Sequence, residues 1–280
     1  MKIAINTYSF SNMRDRNGNP LSQPHIIEEA AAIGFDAIEF VGLSCGDNDD
    51  KISFAHSLAE KAESCGIQVA GYTVGADLLR DGEVERLKRE ADIAAALGAP
   101  FMRHDAAWSA PEGKSFEELL ASKCRQVTEY AANYGIHTTV ENHGHFVQGS
   151  RRVIALCKAV DHPNFGLLCD IGNFMCVDEA SVHAVREVAP YTIYVHAKDF
   201  LYKDRNTEKE SLTAGYFPTL GGNYLCGSAL GDGAVNVSAC LNILKEAGYN
   251  GFVSLEFEGP GDVMSEIKKG YKLLRSCVDS

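Results

Sequence analysis

Short apolar runs alternate along the chain with longer stretches in which Ala, Leu, Ile and Val recur at helical spacing among Glu, Lys and Arg. The runs lie near 2–8, 36–41, 67–73, 99–104, 136–141, 165–170, 191–198 and 252–257, and they predict eight strands. Five of them begin just after a glycine that ends the preceding stretch: Gly34-Phe35-Asp36-Ala37-Ile38-Glu39, Gly66-Ile67-Gln68-Val69-Ala70, Gly98-Ala99-Pro100-Phe101-Met102-Arg103, Gly135-Ile136-His137-Thr138-Thr139-Val140-Glu141 and Gly248-Tyr249-Asn250-Gly251-Phe252-Val253. A glycine closing a helix adopts the left-handed conformation in which a Cβ would clash, so each junction reads as helix, tight turn, buried strand. Strands joined through helices pair in parallel. Eight such units in 280 residues predict an α/β fold, a single-domain (β/α)8 TIM barrel over 1–280 rather than an open doubly wound sheet. Ser115-Phe116-Glu117-Glu118 has the form of a capping box and starts a helix at about 115–134, and a last helix is expected at about 262–276. Two connections exceed what a barrel needs, at about 9–23 and about 199–233; the second reads as a long active-site loop.

Composition narrows the classes without naming one. With 45% hydrophobic and 23% charged residues the chain is globular rather than disordered. A formal charge of −12 repels phosphate backbones and anionic membranes, so neither nucleic acid nor membrane is an expected partner. The nine cysteines are scattered and never form a Cys-x-x-Cys pair, which reads as reduced thiols and argues against a structural zinc site. No apolar run approaches the roughly 20 residues that span a bilayer, nor does the start resemble a signal peptide, so a cytoplasmic location is expected.

The chemistry lies at the strand ends. In a parallel barrel the C-terminal residues of all strands converge on one face, however distant in sequence. The fifth strand ends in Glu141, the sixth in Asp170, the seventh in His196 and the eighth in Glu256. Three carboxylates crowded at one mouth would repel one another, and a divalent cation resolves the conflict. Carboxylate oxygens with one imidazole and no thiolate suit one ion of Mn²⁺, Mg²⁺ or Co²⁺, with Zn²⁺ also within range. Around this core His143, Lys198 and Arg103 are expected as substrate or oxyanion contacts, with Asn173, Glu39, Trp108 and Asn6 behind them. His104, His137, His145 and His183 each read as structural or surface groups, although His104 closes the fourth strand, from which a side chain can reach the mouth.

Gly34-Phe35-Asp36-Ala37-Ile38-Glu39, Glu141-Asn142-His143, Asp170-Ile171-Gly172-Asn173, His196-Ala197-Lys198-Asp199, Gly231-Asp232-Gly233 and Leu255-Glu256, in this order and spacing, resemble the sugar isomerases and epimerases built on the xylose-isomerase-like barrel. That family includes ketose 3-epimerases, inosose dehydratases and hydroxypyruvate isomerases, and the resemblance spans nearly the whole chain. It implies a metal on Glu141, Asp170, His196 and Glu256, with Glu141 and Glu256 doubling as acid and base. It also implies a small sugar or polyol substrate, proton abstraction next to a carbonyl through a cis-enediolate, and a homodimer as a common assembly. An inosose-type dehydratase on the same site is the nearest alternative chemistry. The chain departs from the pattern at Asn173, where many members carry histidine.

Competing readings are weaker. Gly42-Leu43-Ser44-Cys45-Gly46 matches a nucleophile elbow in letters, but Asp47-Asn48-Asp49-Asp50 follows where a helix is required. Trp108-Ser109-Ala110-Pro111-Glu112-Gly113-Lys114-Ser115 ends like a phosphate loop yet lacks its first glycine. An apurinic-endonuclease-like nuclease would need further histidines, including one at Asn173, and a non-catalytic carbohydrate-binding barrel would not need all four ligand positions. The aromatic residues of the long loop, Phe200, Tyr202, Tyr216, Phe217 and Tyr224, suit a sugar face or a subunit contact, and Lys203 and Arg205 are the candidates for a substrate phosphate.

Overall fold

The computed structural model describes residues 1–46, 50–110 and 115–279. Seven parallel strands, β1 (Lys2–Asn6), β2 (Ala37–Val41), β3 (Gln68–Val74), β4 (Phe101–His104), β5 (His137–Glu141), β6 (Phe165–Asp170) and β7 (Thr192–Ala197), are followed by a separate group of three, β8 (Asp199–Lys203), β9 (Phe217–Pro218) and β10 (Tyr224–Ser228), and by β11 (Phe252–Leu255). β1 to β7 and β11 close into one parallel barrel in which β11 lies between β7 and β1. All eight staves fall within two residues of their expected bounds. Helices α1 (Gln23–Ile33), α2 (Lys51–Ser64), α3 (Glu83–Ala96), α4 (Phe116–Ala132), α5 (Ser150–Val160), α6 (Ser181–Val188), α7 (Val237–Glu246) and α8 (Val263–Asp279) occupy the segments between and after the staves.

Local signals explain the element ends. Gly34, Gly66, Gly98, Gly135 and Gly248, the five junction glycines, all have positive φ, from 66° to 107°. Ser115 caps α4 by accepting from the Glu118 N–H, and Asp50 caps α2 in the same way from Ile52. Ser44 lies in a non-helical segment with its N–H on Gln23, seven residues before α2 begins, which is not the geometry of a nucleophile elbow. The intervening Asp47-Asn48-Asp49 and the segment Pro111-Glu112-Gly113-Lys114 lie outside the described residues.

The main core fills the space between staves and helices, with Ile3, Ile5, Ile38, Phe40, Leu167 and Val253 fully buried or nearly so. Inside the barrel the residues are small, Ala4, Ala37 and Ala70 with Leu168, and this leaves room for the ring of Tyr194 to cross the interior. No helix among the described residues is long and apolar enough to cross a membrane.

The connection after β7 differs from the loop expected at 199–233. It folds into an antiparallel sheet in the order β8-β10-β9, with Phe200, Leu225 and Cys176 as a small core beneath it. Phe200 and Phe217 are therefore packing residues (ring centroids 5.8 Å apart) rather than faces presented to a sugar. Two aspartates anchor this sheet. Asp199 accepts four backbone N–H groups, from Phe200, Gly231, Gly233 and Val235, at 2.8–3.0 Å. Asp178, just after the turn that follows β6, accepts from Thr219 Oγ1, Gly221 N–H and Asn223 Nδ2 at the sheet's tip. Gly233 follows from this wrapping, because a Cβ there would collide with Asp199 Oδ1, while Gly231 has a φ of +91°. Gly233→Ala is expected to destabilise the protein by about 2–3 kcal/mol, read as a Tm drop of several degrees; an unchanged Tm would show that the carboxylate does not hold the strap.

Candidate active site and metal centre

Parallel staves bring Glu141, Asp170, His196 and Glu256 to one point at the C-terminal mouth, where one ligand atom from each lies within 4.8 Å of all the others. That spread is about twice a metal–oxygen distance of roughly 2.2 Å, as expected for atoms arranged around a single ion. Two of the atoms have no hydrogen-bond partner although buried: Asp170 Oδ2 and His196 Nδ1. His196 Nδ1 is 2.9 Å from Glu256 Oε2 and 3.6 Å from Glu141 Oε1 without the alignment of a hydrogen bond. A ring nitrogen and a carboxylate oxygen left unpaired among carboxylates fit a divalent cation, and the donor set of three carboxylates and one imidazole is one that such ions accept.

The sequence positions each ligand through short local devices. Asp170 Oδ1 accepts the N–H groups of Gly172 and Asn173, which turns Oδ2 toward the centre. Gly172 is required there because a Cβ would meet Lys198 O at 2.8 Å. Asn142, the residue after Glu141, exchanges two hydrogen bonds with the Asp170 backbone and ties the ends of β5 and β6 together.

Glu39 does not stand among substrate contacts. Glu39 lies two residues after the inward-facing Ala37 on β2, so strand alternation aims its carboxylate into the barrel behind His196, where it is 1% exposed. Its oxygens lie 2.9 and 3.0 Å from His196 Nε2 and accept from Thr73 Oγ1 and Tyr194 OH. A carboxylate on one ring nitrogen keeps the proton there and leaves the other nitrogen to face an ion. Glu39→Gln is expected to weaken divalent-ion binding about 10–100-fold while leaving the fold intact; titration of the metal-free variant with Mn²⁺ measures it, and unchanged affinity would refute this positioning role.

Arg103 also turns inward rather than to a ligand space: Nη2 bridges Asp105 Oδ1 and Glu141 Oε2, both at 2.7 Å. Burial alone would raise the Glu141 carboxyl, but Arg103 and His196 hold it well below the usual carboxylate range. Lys198 Nζ lies 3.3 Å from Glu256 Oε1, 3.5 Å from Asp170 Oδ2 and 3.5 Å from Glu258 Oε2. Against burial, Lys198 and His196 bring Glu256 down to about 2, whereas burial outweighs Lys198 at Asp170 and pushes it up to about 6. Asn173 donates from Nδ2 to Glu141 Oε1 at 2.9 Å and so touches the ligand set itself.

His143 is half-exposed, its Nδ1 3.0 Å from Asp105 Oδ1, and its ring meets Trp108 edge-on at 5.4 Å. Trp108, 48% exposed, is fixed by its Nε1–H on Ala76 O. These two border the opening. Asn6 instead caps the 3-10 turn Thr7–Phe10 by accepting from Tyr8 N–H. His104 is fully buried on the other face of β4, and burial lowers it to about 4, so it does not reach the mouth. Lys203 and Arg205 lie at or beyond the far end of β8, Lys203 over the Tyr216 ring, not beside the ligand cluster. Asp105 escaped the strand-end reading, although the same rule applied one residue beyond β4 would have found it. Asn142 left no signal in spacing.

Comparison with known proteins agrees with the geometry. The curated 3-oxo-isoapionate decarboxylase of Pectobacterium atrosepticum is 24% identical over 205 residues, 72% of this chain and 70% of that protein. The crystal structure of the probable 3-DHS dehydratase of Bacillus anthracis superposes with a TM-score of 0.76 at 19% identity, covering 98% of this chain and 99% of that one. An L-ribulose 3-epimerase structure gives 0.74 at 17% identity over 99% and 94%. The family model described as xylose isomerase-like TIM barrel matches residues 27–277, nearly the entire barrel with its ligand cluster, and the chain belongs to that family.

Proposed function

We propose that the chain is a divalent-metal-dependent isomerase or epimerase of a sugar or polyol, working by proton removal from the carbon beside a carbonyl. The observation that carries this reading is the pair Glu141 and Glu256, which lie 3.6 and 2.9 Å from His196 Nδ1 and are each paired with a cation of their own, Arg103 and Lys198. Two carboxylates at one centre, one ionised and the other carrying a proton taken from solvent, can act as base and acid on opposite faces of a planar carbon. Glu141, Asp170, His196 and Glu256 would hold the ion, which when bound polarises a carbonyl and the neighbouring hydroxyl and so acidifies the hydrogen between them. Glu256, the more exposed of the pair, takes that proton while Lys198 steadies its other oxygen. For epimerisation Glu141, fixed by Arg103 and Asn173, gives the opposite face a proton that it has first taken from solvent, and Glu256 then releases its own; return of the Glu256 proton to the adjacent carbon gives isomerisation. The named relatives include an epimerase, a dehydratase and a decarboxylase, which supports an enzyme on this barrel. The test is incubation of the metal-loaded protein in D₂O with free ketoses, ketose phosphates and inososes. Deuterium is expected at the carbon beside the carbonyl of at least one compound, and its absence throughout the panel overturns the proposal.

A further inference from the structure

The outward end of the ligand cluster is closed by a carboxylate outside the motifs discussed so far. Glu258 follows Glu256 by two residues, so on the extended segment leaving β11 it points to the same side. Side-chain exposure rises from Asp170 (0%) through Lys198 (6%) and Glu256 (12%) to Glu258 (24%), which orders these groups from the floor of the site to its opening. Lys198 is thus surrounded: Asp170 and Glu256 lie on its inner side, Asn173 Oδ1 is 3.4 Å away, and Glu258 caps it toward solvent. The backbone at Glu258 is confined, because a Cβ on Gly227 of β10 would come within 2.9 Å of its carbonyl carbon and 2.8 Å of Gly259 N. Tyr8, 43% exposed, stands in the field of the same three charges, Glu258, Lys198 and Glu256.

The other cations of the site are engaged in the same manner. Arg103 lies between Asp105 and Glu141, and His143 is bonded to Asp105. Among the described residues, Glu39, Asp105, Glu141, Asp170, Glu256 and Glu258 supply six negative charges, and Arg103, Lys198, His143 when protonated and a divalent ion would supply five positive ones. What remains facing the opening is a carboxylate, a phenol, an imidazole and the indole of Trp108. These groups accept hydrogen bonds from hydroxyls and pack on C–H faces, but an anion approaching Lys198 meets Glu258 first. Resting on the function proposed above, we infer that the substrate is an uncharged polyhydroxy carbonyl compound, and that Glu258 is the residue that discriminates against phosphate monoesters and sugar acids.

The experiment measures binding and turnover separately. Mg²⁺-loaded wild type, Glu258→Gln and Glu258→Asp are titrated, by saturation-transfer NMR in D₂O, with D-fructose against D-fructose 6-phosphate and D-fructuronate, and with D-xylulose against D-xylulose 5-phosphate. Support is an uncharged member that binds wild type at least about tenfold more tightly than its charged partner, with the gap shrinking about tenfold in Glu258→Gln and persisting in Glu258→Asp. A charged member binding as tightly as its partner, a gap unchanged in Glu258→Gln, or no binding by any compound overturns the inference. Deuterium uptake is followed in the same samples. An uncharged compound that binds selectively but takes up no deuterium upholds the charge preference and counts against proton abstraction alone.

Discussion

Glu141→Gln and Glu256→Gln are each expected to slow deuterium exchange beside the substrate carbonyl by roughly 10²–10⁴-fold, the range that a positioned acid or base contributes. Each substitution removes a carboxylate that both reacts and would bind an ion, so metal content must be measured alongside the rate. The two variants differ in what they leave behind. In Glu141→Gln the guanidinium of Arg103 loses its inner partner but keeps Asp105, whereas in Glu256→Gln the ammonium of Lys198 retains Asp170 and Glu258. Both variants are therefore expected to fold, since no buried cation is left alone. Exchange at the wild-type rate in a metal-replete variant would remove that glutamate from the acid/base pair.

A divalent ion is expected to raise the melting temperature by about 5–8 °C, and a chelator to reverse the gain. At an ion concentration of about 100 times Kd the bound state gains roughly 2.7 kcal/mol, and each kcal/mol moves the Tm of a protein this size by roughly 2–3 °C. The gain is rooted in the crowding of Glu141, Asp170 and Glu256, of which Asp170 feels the cost most, with burial raising its carboxyl to about 6 despite Lys198. Asp170→Ala should abolish the stabilisation without abolishing folding. If Mn²⁺, Mg²⁺, Co²⁺ and Zn²⁺ all leave the melting curve of wild type in place, the cluster is not a metal site.

Much of the barrel is legible because its determinants are local. A left-handed glycine, an N-cap serine and a short apolar run each act within a few residues, so Gly34, Ser115 and the staves can be read one at a time. Glu141, Asp170, His196 and Glu256 are legible for a related reason: parallel closure turns strand ends into neighbours without any knowledge of side-chain direction. Direction itself is what sequence conceals. Glu39 looks like one more rim carboxylate, yet it stands two residues before the end of β2 on the inward face of Ala37, which sets it behind His196. Arg103 looks like a substrate anchor until Asp105 and Glu141 are seen to hold it from both sides. The sheet within 199–233 was hidden because its strands pair through an antiparallel return in a chain otherwise wound in parallel, and β9 has only two residues.

The straps at Asp199 and Asp178 bear on how such a barrel could be re-engineered. Asp199 is the third residue after His196 and Asp178 the eighth after Asp170, so the two tethers of the small sheet hang from the same chain segments that carry half of the ligand cluster. Exchanging only the tip of this insert between homologous barrels would sever it from its moorings. The transplantable cassette runs from Asp178 through Val235, and a chimera cut inside those limits would trade selectivity for a misplaced wall.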